Sequence, residues 1–445
     1  PSSFFGLSPA LPIFFVLLFS ISPSLLFSSS SSPFSRDSLS YKIGQMVMVG
    51  FSPYSSFKDT VYYDIEHRNL GGVILMAYNL QNPAQITALT ADLQLSATTP
   101  LFIATDQEGG VVARLDENNG FTETPTAYHL GTTLDSENST RAAAATMAQW
   151  LVQSGINTNL APVADVNVNP VSPAIGRLNR SFSADPYKVF DHAFWFASEF
   201  HDRNITTALK HFPGHGSALG DSHDGFTDVT ATWSDAELTP YREFILEEYT
   251  GMIMTGHLYN AQLDSVYPAS LSESTVTGLL RDSLGFEGVV ITDGMGMGAI
   301  TNNYGFEEAV VLAINAGTDI LLYTTDEHDG VSLTGEIIRI VLKNIDSGVI
   351  AEERIHESYD RIMTLKAGIG TSVALTDAGL PDTDRLHAFP NPFNGATMIR
   401  FHIDHEITEI AHLRIYTTLG QLIAERSLAV NGRGDYEILW NAAAP

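Results

Sequence analysis

The stretch GVVITDG (288–294) places a short β-branched apolar run between a glycine and an Asp-Gly pair. Such a run is typical of a strand buried in a parallel sheet, and Asp293 stands at its end. Burying an unpaired carboxylate is costly, so Asp293 needs a partner or a task. It could cap a helix that begins near Met297, or it could face a ligand that the flanking glycines allow to approach closely.

Seven further runs resemble this one between residues 37 and 370. Helix-compatible stretches such as NPAQITALTADLQLSA (82–97) and STRAAAATMAQWLVQSG (139–155) lie between them. Eight β–α units in succession predict an α/β fold, a (β/α)8 TIM barrel with loop insertions. A doubly wound open sheet is the alternative. The seven runs are GQMVMVGF (44–51), GGVILMAY (71–78), PLFIATD (100–106), INTNLAPVAD (156–165), TTALKHF (206–212), GMIMTGH (251–257) and TDILLYT (318–324).

Polar residues fall at the carboxyl ends of these predicted strands, where a barrel gathers them on one face. Active sites of barrel enzymes lie on that face. Random placement would scatter such residues along strands and helices, so their position favours an enzyme. The residues are Asp106, Asp165, Lys210, His211, His257 and Asp293.

The composition narrows the class of partner. The chain has 445 residues, 44% of them hydrophobic, and a formal net charge of −28. This charge argues against nucleic acid or an anionic membrane surface as the main partner. The chain has no cysteine. This absence excludes disulfides, thiolate metal sites, a cysteine nucleophile and lipid attachment through cysteine.

The two ends of the chain differ from the predicted barrel (37–370). Residues 1–36 combine the apolar run LPIFFVLLFSISPSLLF (11–27) with a serine-rich segment, a pattern that favours a signal peptide and export over a transmembrane helix. A disordered or misannotated leader is the alternative. Residues 371–386 have the composition of a linker. Residues 387–445 alternate like short strands joined by Gly- and Asn-rich turns, which predicts a small, truncated β-sandwich-like module.

The segment KHFPGHGSALGDSHD (210–224) could be a metal site, a phosphate-binding loop or a mobile loop that carries a catalytic histidine. Pro213 and the glycines disfavour a helical His-x-x-x-His zinc site, and Lys210 precedes the glycines instead of following them as in a phosphate loop. Asp221 and His223 would point the same way in an extended segment. A carboxylate beside an imidazole orients the ring and favours its protonated form, which can donate a proton to a leaving group.

Two arginine-bearing loops offer further candidate contacts. In ATDQEGGVVARL (104–115), Gly109 and Gly110 permit a tight turn between Asp106 and Arg114, a pair that can grip sugar hydroxyls or serve only as a structural ion pair. The loop SPAIGRLNRSFSADP (172–186) carries Arg177 and Arg180, and spacing alone does not choose between them.

Taken in order, the motifs DQEGG…R, RSFS.DP, KHFPGHG…DSH, MTGH, PASLS and GVVITDGM resemble glycoside hydrolase family 3, and more narrowly its single-barrel β-N-acetylhexosaminidase branch. The resemblance covers about residues 40–368. It implies a (β/α)8 barrel with a retaining mechanism, in which Asp293 matches the nucleophile and His223, assisted by Asp221, matches the acid/base. The positions that match sugar-binding residues are Asp106, Arg114, Arg180, Lys210, His211 and His257. His215 is expected to shape the loop.

This resemblance predicts an exo-acting β-N-acetylglucosaminidase for peptidoglycan or chitin fragments, with carbohydrate as its partner and no metal or organic cofactor. A β-glucosidase or broad-specificity glycosidase, a phosphorylase and a non-catalytic glycan-binding protein are the alternatives. The C-terminal segment resembles the type A sorting domain of type IX secretion, or the related flagellar-hook-like immunoglobulin module. With the apolar leader, it predicts an exported, periplasmic or cell-surface protein that could engage secretion machinery.

Overall fold

The computed structural model describes residues 39–52 and 58–369, together with the backbone of six strands outside that range. The chain divides into two compact units, one comprising Ser32–Ala374 and the other Pro1–Ser31 with Leu375–Pro445.

The larger unit is a barrel of eight parallel strands. Each strand pairs with its neighbours in the chain, and β8 returns to pair with β1. A parallel bridge between Ile291 and Ile320 joins β7 to the chain entering β8. This closed, consecutive order confirms the predicted barrel and excludes the doubly wound sheet. The strands are β1 (Val47–Val49), β2 (Gly72–Ile74), β3 (Phe102–Thr105), β4 (Thr158–Asn159), β5 (Thr206–Phe212), β6 (Met252–Thr255), β7 (Val290–Thr292) and β8 (Leu321–Tyr323).

A helical segment follows every strand, and it covers the outside of the barrel. In order after β1 to β8 these are Lys58–Arg68, Pro83–Ser96, Glu137–Gln153, Pro186–His201, Thr239–Leu246, the π-type Ser274–Ser283, Phe306–Ala316 and Leu333–Asp346. Leu39–Gln45 precedes β1, and Glu352–Gly368 follows the last unit. Shorter helical turns span Ala77–Asn79, Glu117–Asn119, His129–Leu134, Gly176–Leu178, Asp235–Leu238, Ala269–Leu271 and Gly298–Thr301.

The local sequence explains why the barrel strands are buried and why two of the helices begin where they do. Every residue of the eight strands is buried, as the near-continuous apolar runs predicted. Two of the helices begin with the same signal, an N-cap side chain followed by proline at the first helical position. Asn82 accepts a hydrogen bond from the Gln85 amide and precedes Pro83, while Asp185 accepts one from the Tyr187 amide and precedes Pro186.

Short strand pairs extend from the barrel mouth into the loops. Gln107–Gly109 pairs antiparallel with Val112–Ala113, and Glu327–His328 with Val331–Ser332. Thr227–Asp228 pairs in parallel with Leu258–Tyr259, which connects the loop after β5 to the loop after β6.

The strands that the structure describes in the smaller unit form two three-stranded antiparallel sheets. One contains Val16–Ile21, Thr408–Tyr416 and Leu422–Asn431, and the other contains Leu386–Phe389, Ala396–Ile403 and Gly434–Asn441. Val16–Ile21 falls in the predicted leader and pairs with Thr408–Tyr416. The export and sorting roles of these segments stay predictions. Within the described residues, none of the helices has the length and apolar character to cross a bilayer.

A buried ion-pair cluster stabilises the end of the barrel opposite the candidate site. Asp319 precedes β8, is fully buried and accepts hydrogen bonds from the Val290 amide at 2.9 Å and from the Ser358 hydroxyl at 2.7 Å. Arg281 and Arg354 bind the same carboxylate at 2.6 and 2.8 Å, and Arg361 binds it at 3.2 Å. Burial raises the pKa of Asp319, but the three guanidinium groups outweigh it and hold the pKa below its usual range.

Replacing Asp319 with alanine leaves three partly buried guanidinium groups without their anion. We expect Asp319→Ala to lower the free energy of unfolding by about 3–5 kcal/mol, measured as a decrease in the thermal unfolding midpoint. Asp282→Ala, which removes an exposed carboxylate beside Arg281, is the matched control and should leave the midpoint nearly unchanged. Equal effects of the two substitutions would contradict this role.

Candidate active site

The polar residues singled out at strand ends come together at the carboxyl-terminal mouth of the barrel. Asp106 follows β3 directly and Asp293 follows β7 directly, whereas Lys210 and His211 lie within the long strand β5. His257 stands two residues after β6. Five of the six residues predicted at strand ends therefore lie within two residues of such an end, whereas Asp165 lies six residues after β4.

Lys210 joins two carboxylates at the centre of this mouth. Its Nζ atom lies 2.7 Å from Asp106 Oδ1 and 2.7 Å from Glu108 Oε1. Arg180 binds Glu108 with two parallel hydrogen bonds, Nε to Oε2 at 2.9 Å and Nη2 to Oε1 at 2.8 Å. Arg114 Nη2 lies 3.3 Å from Asp106 Oδ2. The five side chains form one network, which we call the mouth cluster.

The electrostatics of the mouth cluster keep both carboxylates ionised. Burial raises the pKa of Glu108, but Arg180 and Lys210 outweigh it and hold that pKa well below its usual range. Burial likewise raises the pKa of Asp106, and Lys210 and Arg114 outweigh it. The pKa of Lys210 is lowered by burial but raised further by Asp106 and Glu108, so its ammonium stays charged.

The cluster has an inner and an outer part. The side chains of Glu108 and Lys210 are only 4% and 3% exposed, whereas those of Asp106 and Arg114 are 15% and 25% exposed. Arg114 Nε is buried and has no partner among the described residues. The outer pair is therefore the part of the cluster that a ligand can reach, and the inner pair holds the outer pair in place.

A hairpin brings Arg114 back to Asp106. Gly109 and Gly110 adopt φ values of 96° and 61°, which side-chain-bearing residues rarely adopt, and they turn the chain between the two short strands. The Arg114 amide then donates to the Asp106 carbonyl at 3.2 Å. This confirms the tight turn that the double glycine predicted.

Asp165 organises the end of β5 and the turn that follows it. It is fully buried, and its Oδ1 accepts hydrogen bonds from the amides of His211 at 3.1 Å and His215 at 2.7 Å. Its Oδ2 lies 2.8 Å from His211 Nδ1. With Nδ1 donating to Asp165, the other ring nitrogen, Nε2, is left for a ligand, and the described residues give it no hydrogen bond. His215 is buried and contacts Ser222 Oγ through Nε2 at 3.2 Å, which agrees with its predicted loop-shaping role.

The glycines of the HFPGHG turn serve close packing. A Cβ on Gly214 would lie 2.7 Å from the Cβ of Glu237, and a Cβ on Gly216 would collide with the carbonyl oxygen of Val166. Glu237 also accepts a hydrogen bond from the Ser217 amide at 3.3 Å. Trp233 Nε1 donates to the Pro213 carbonyl at 3.0 Å. In this turn, glycine therefore provides room for tight contacts with neighbouring elements.

Asp221 and His223 form the predicted pair, but through a turn. The expected extended segment is wrong, because the Asp224 amide donates to the Asp221 carbonyl at 3.1 Å and closes a turn. Asp221 Oδ1 accepts from the His223 amide at 3.0 Å and lies 2.8 Å from His223 Nδ1. An aspartate that bonds the backbone two residues ahead favours such a turn over extended chain.

This geometry determines which nitrogen of His223 can exchange protons. Burial raises the pKa of Asp221, but the hydrogen bonds from His223 outweigh it and lower that pKa, so the carboxylate is ionised. An ionised acceptor requires a proton on Nδ1, and Nε2 becomes the site that gains or loses a proton. The His223 side chain is 66% exposed, which leaves Nε2 accessible.

Asp293 is held as a carboxylate. Its Oδ1 accepts a hydrogen bond from the Gly294 amide at 2.7 Å. Burial raises the pKa of Asp293, but His211, His257 and the Gly294 amide, together with His223, outweigh it and lower that pKa to about 2. The side chain is therefore ionised at neutral pH, and its capping of the helix Gly298–Thr301 is excluded because Met297 occupies that N-cap position.

His257 contacts the turn that carries Asp293. It is buried, its Nδ1 lies 2.7 Å from Ser270 Oγ, and its Nε2 lies 3.0 Å from the Gly294 carbonyl. The carbonyl can only accept, so Nε2 carries the proton and Nδ1 accepts from the serine hydroxyl. With both nitrogens in use, these contacts favour a role in positioning the Asp293 turn. The predicted sugar contact of His257 stays a prediction.

Glu108 lies in the motif DQEGG, but no role for it was predicted from the sequence. The residues predicted to bind sugar include three cations, Lys210, Arg114 and Arg180, but only one carboxylate. That excess of positive charge was the signal that a second carboxylate lies nearby. Arg177, the other loop arginine, is exposed and has no ion-pair partner among the described residues. No three histidine or carboxylate side chains within residues 39–52 and 58–369 converge as metal ligands do.

Comparisons with known proteins agree with this arrangement. Residues 38–365 match the model of the Glycosyl hydrolase family 3 N terminal domain. Beta-hexosaminidase A of Pseudoalteromonas piscicida is 33% identical over 352 residues, which is 73% of this chain and 58% of that protein. The Beta-hexosaminidase of Tolumonas auensis is 33% identical over 276 residues, which is 60% of this chain and 80% of that protein.

Solved structures are similar as well. A glycoside hydrolase family 3 beta-N-acetylglucosaminidase from Paenibacillus sp. superposes with a TM-score of 0.70 at 34% identity, over 78% of this chain and 66% of that one. The beta-N-acetylhexosaminidase from Beutenbergia cavernae superposes with a TM-score of 0.67 at 30% identity, over 74% of this chain and 98% of that one. This chain thus spans less than two thirds of the length of some relatives and nearly all of others.

The mouth cluster predicts a pH-dependent stability. The pKa of Glu108 is lower in the folded protein than its ordinary value of about 4.3, so its contribution is complete above about pH 5 and is lost as the pH falls. We expect Glu108→Gln to reduce the free energy of unfolding by about 3–5 kcal/mol at pH 7. In denaturant titrations between pH 8 and pH 3, the difference from wild type should stay constant to about pH 5 and then shrink. Glu117→Gln, at an exposed position, is the control, and a difference that grew towards low pH would contradict the ion-pair account.

Proposed function

Since this chain belongs to glycosyl hydrolase family 3, we propose that it is a retaining exo-β-N-acetylglucosaminidase. It would remove terminal β-linked N-acetylglucosamine from peptidoglycan or chitin fragments through a covalent glycosyl-enzyme intermediate. One observation carries the proposal: an ionised Asp293 and a hydrogen-bonded Asp221–His223 pair lie at the same barrel mouth. The named activities of the relatives support the choice of an N-acetylated sugar.

The mouth cluster would bind the terminal sugar. Asp106 is ionised and partly exposed, so it can accept hydrogen bonds from sugar hydroxyls, and the partly exposed guanidinium of Arg114 lies beside it. Lys210 and Arg180 would contribute mainly by fixing the carboxylates, since their charged atoms are paired with Asp106 and Glu108. His211 would present Nε2 to the sugar, because Asp165 occupies Nδ1.

In the first step, a carboxylate oxygen of Asp293 attacks the anomeric carbon as the glycosidic bond breaks. His223 Nε2 gives its proton to the departing oxygen, and Asp221 stabilises the ring that donates it. The products are the released alcohol and an ester between Asp293 and the sugar. A carboxylate with a pKa of about 2 is ready for this attack at neutral pH.

In the second step, the now neutral His223 takes a proton from water, and the resulting oxygen attacks the anomeric carbon. The bond between the sugar and Asp293 breaks, which returns the carboxylate and leaves His223 protonated for the next turnover. The same groups that lower the pKa of Asp293 make it a good leaving group here. Both half-reactions therefore use one nucleophile and one acid/base.

Phosphorolysis is a second candidate, because the acid/base is an imidazole. After the first step His223 is neutral, and a neutral ring does not repel an approaching phosphate as a carboxylate would. Phosphate would then take the place of water, and the product would be a sugar 1-phosphate.

We also propose that the protein is exported. The apolar segment 11–27 and the sorting-domain-like pattern of residues 387–445 support this proposal. Fractionation of the source cells should find the enzyme outside the cytoplasm, and recovery of the full chain with cytoplasmic markers would contradict it.

Substrates with different leaving groups distinguish the role of the acid from the role of the nucleophile. We expect His223→Ala to reduce kcat/KM on phenyl N-acetyl-β-glucosaminide by about 10²–10⁴-fold, because phenolate is a poor leaving group that needs a proton. The same variant should keep most of its kcat/KM on the 2,4-dinitrophenyl glycoside, which needs none, whereas Asp293→Ala should fail on both. Asp224→Ala, the exposed neighbour of the pair, is the control. An equal loss of His223→Ala on both substrates would refute the acid role.

A substrate panel separates the rival activities. We expect the N-acetylglucosaminide to be hydrolysed far faster than the matching glucoside, because two similar solved structures are named as a beta-N-acetylglucosaminidase and a beta-N-acetylhexosaminidase. Adding inorganic phosphate should leave N-acetylglucosamine as the product. A preference for the glucoside would favour a β-glucosidase, the appearance of a sugar 1-phosphate would favour a phosphorylase, and binding without turnover would favour a glycan-binding protein.

A further inference from the structure

The turn that carries His223 is attached to the segment that follows Asp293. The Gly298 amide donates to the His223 carbonyl at 3.2 Å, and the Ala299 amide donates to the Ser222 carbonyl at 3.2 Å. Gly298 and Ala299 begin the short helix Gly298–Thr301, five residues after Asp293. Two backbone hydrogen bonds therefore connect the turn of the proposed acid/base, His223, to the segment that follows the proposed nucleophile, Asp293.

Ser222 anchors this turn to the buried residues beneath it through its side chain. Its side chain is buried, with 1% exposed, although it lies between Asp221 and the 66% exposed His223. Ser222 Oγ lies 3.2 Å from His215 Nε2, and the His215 amide donates to Asp165. The turn is thus held between the Asp165-centred residues and the helix after Asp293.

Two further buried residues, Ala218 and Thr227, fix the ends of this loop, whereas Leu219 and Phe226 between them are 72% and 55% exposed. A mobile loop was one of the interpretations that the sequence left open for this segment. The structure gives the loop buried contacts at both ends and, through Ser222, in the middle, while Leu219, His223 and Phe226 face outward.

The contact leaves no space for a side chain on Gly298. A Cβ there would lie 2.9 Å from the His223 carbonyl oxygen and 3.1 Å from the Asp224 carbonyl carbon. Gly296, two residues earlier, is exposed and would meet nothing within 4 Å. Both glycines have φ values outside the left-handed region, so the backbone accepts alanine at either position. Of the two, only an alanine at position 298 would press against the turn that carries His223.

We infer that Gly298 and Ser222 are positioning residues that dock the Asp221–Asp224 turn onto the helix after Asp293 and so set the distance between His223 and the nucleophile. This inference rests on the proposed function, since it assigns His223 the role of acid/base. An added methyl group at Gly298 pushes the turn outward without touching the sugar-binding residues. The loss should therefore fall on proton donation and spare the attack by Asp293.

The first test compares Gly298→Ala with Gly296→Ala on the two leaving groups. We expect Gly298→Ala to lower kcat/KM on the phenyl substrate by about 10–100-fold and to change kcat/KM on the 2,4-dinitrophenyl substrate little. Gly296→Ala should match wild type on both. Ser222→Ala, which keeps the backbone hydrogen bonds but loses the contact with His215, should show the same selective loss to a smaller degree. An equal loss on both substrates, no loss, or the same loss in Gly296→Ala would overturn the inference.

The second test does not depend on activity. Amide hydrogen exchange in residues 217–228 should be faster in Gly298→Ala than in wild type and unchanged in Gly296→Ala, with both variants retaining the wild-type thermal midpoint. Unchanged exchange in Gly298→Ala overturns the docking. If the wild type hydrolysed no N-acetylglucosaminide, the proposed function would fail, and the exchange measurement would still decide whether the docking exists.

Discussion

The bridge that Lys210 forms between Asp106 and Glu108 is the interaction on which the barrel mouth depends. Parallel strands bring their carboxyl ends together, so charged side chains meet where little water reaches them. Two buried carboxylates alone would repel each other and take up protons. The ammonium of Lys210, with Arg180 on one side and Arg114 on the other, keeps both ionised and fixes their positions.

Most of the fold was predictable because its signal is local. Each barrel strand is buried on both faces, and each therefore appears as a short apolar run that ends in polar residues. The chain order of eight such runs left two topologies, a barrel and a doubly wound sheet, and the pairing of β8 with β1 decides for the barrel. Even β4, with two residues in regular strand, was predicted from its apolar surroundings.

The site was harder to predict, because its contacts join residues far apart in the chain. The role of Glu108 depends on its ion pair with Arg180, which comes from the loop after β4. The glycines of HFPGHG could be read only as breaking a helix, whereas Gly216 is required by the carbonyl of Val166, a residue from another loop. Spacing placed Asp221 and His223 on the same side correctly but could not distinguish extended chain from a turn, since both bring the two side chains together.

The two proposed catalytic groups occupy contrasting environments, and their tasks explain the contrast. A nucleophile must stay ionised and in place, so Asp293 is enclosed by histidines and bound to the amide that follows it. An acid/base must exchange its proton with a leaving group and then with water, so His223 needs an open side. An exposed imidazole whose backbone was not held would not keep a fixed distance from Asp293. A buried Ser222 and a side-chain-free Gly298 resolve this conflict, because they hold the backbone of the turn while its imidazole remains accessible.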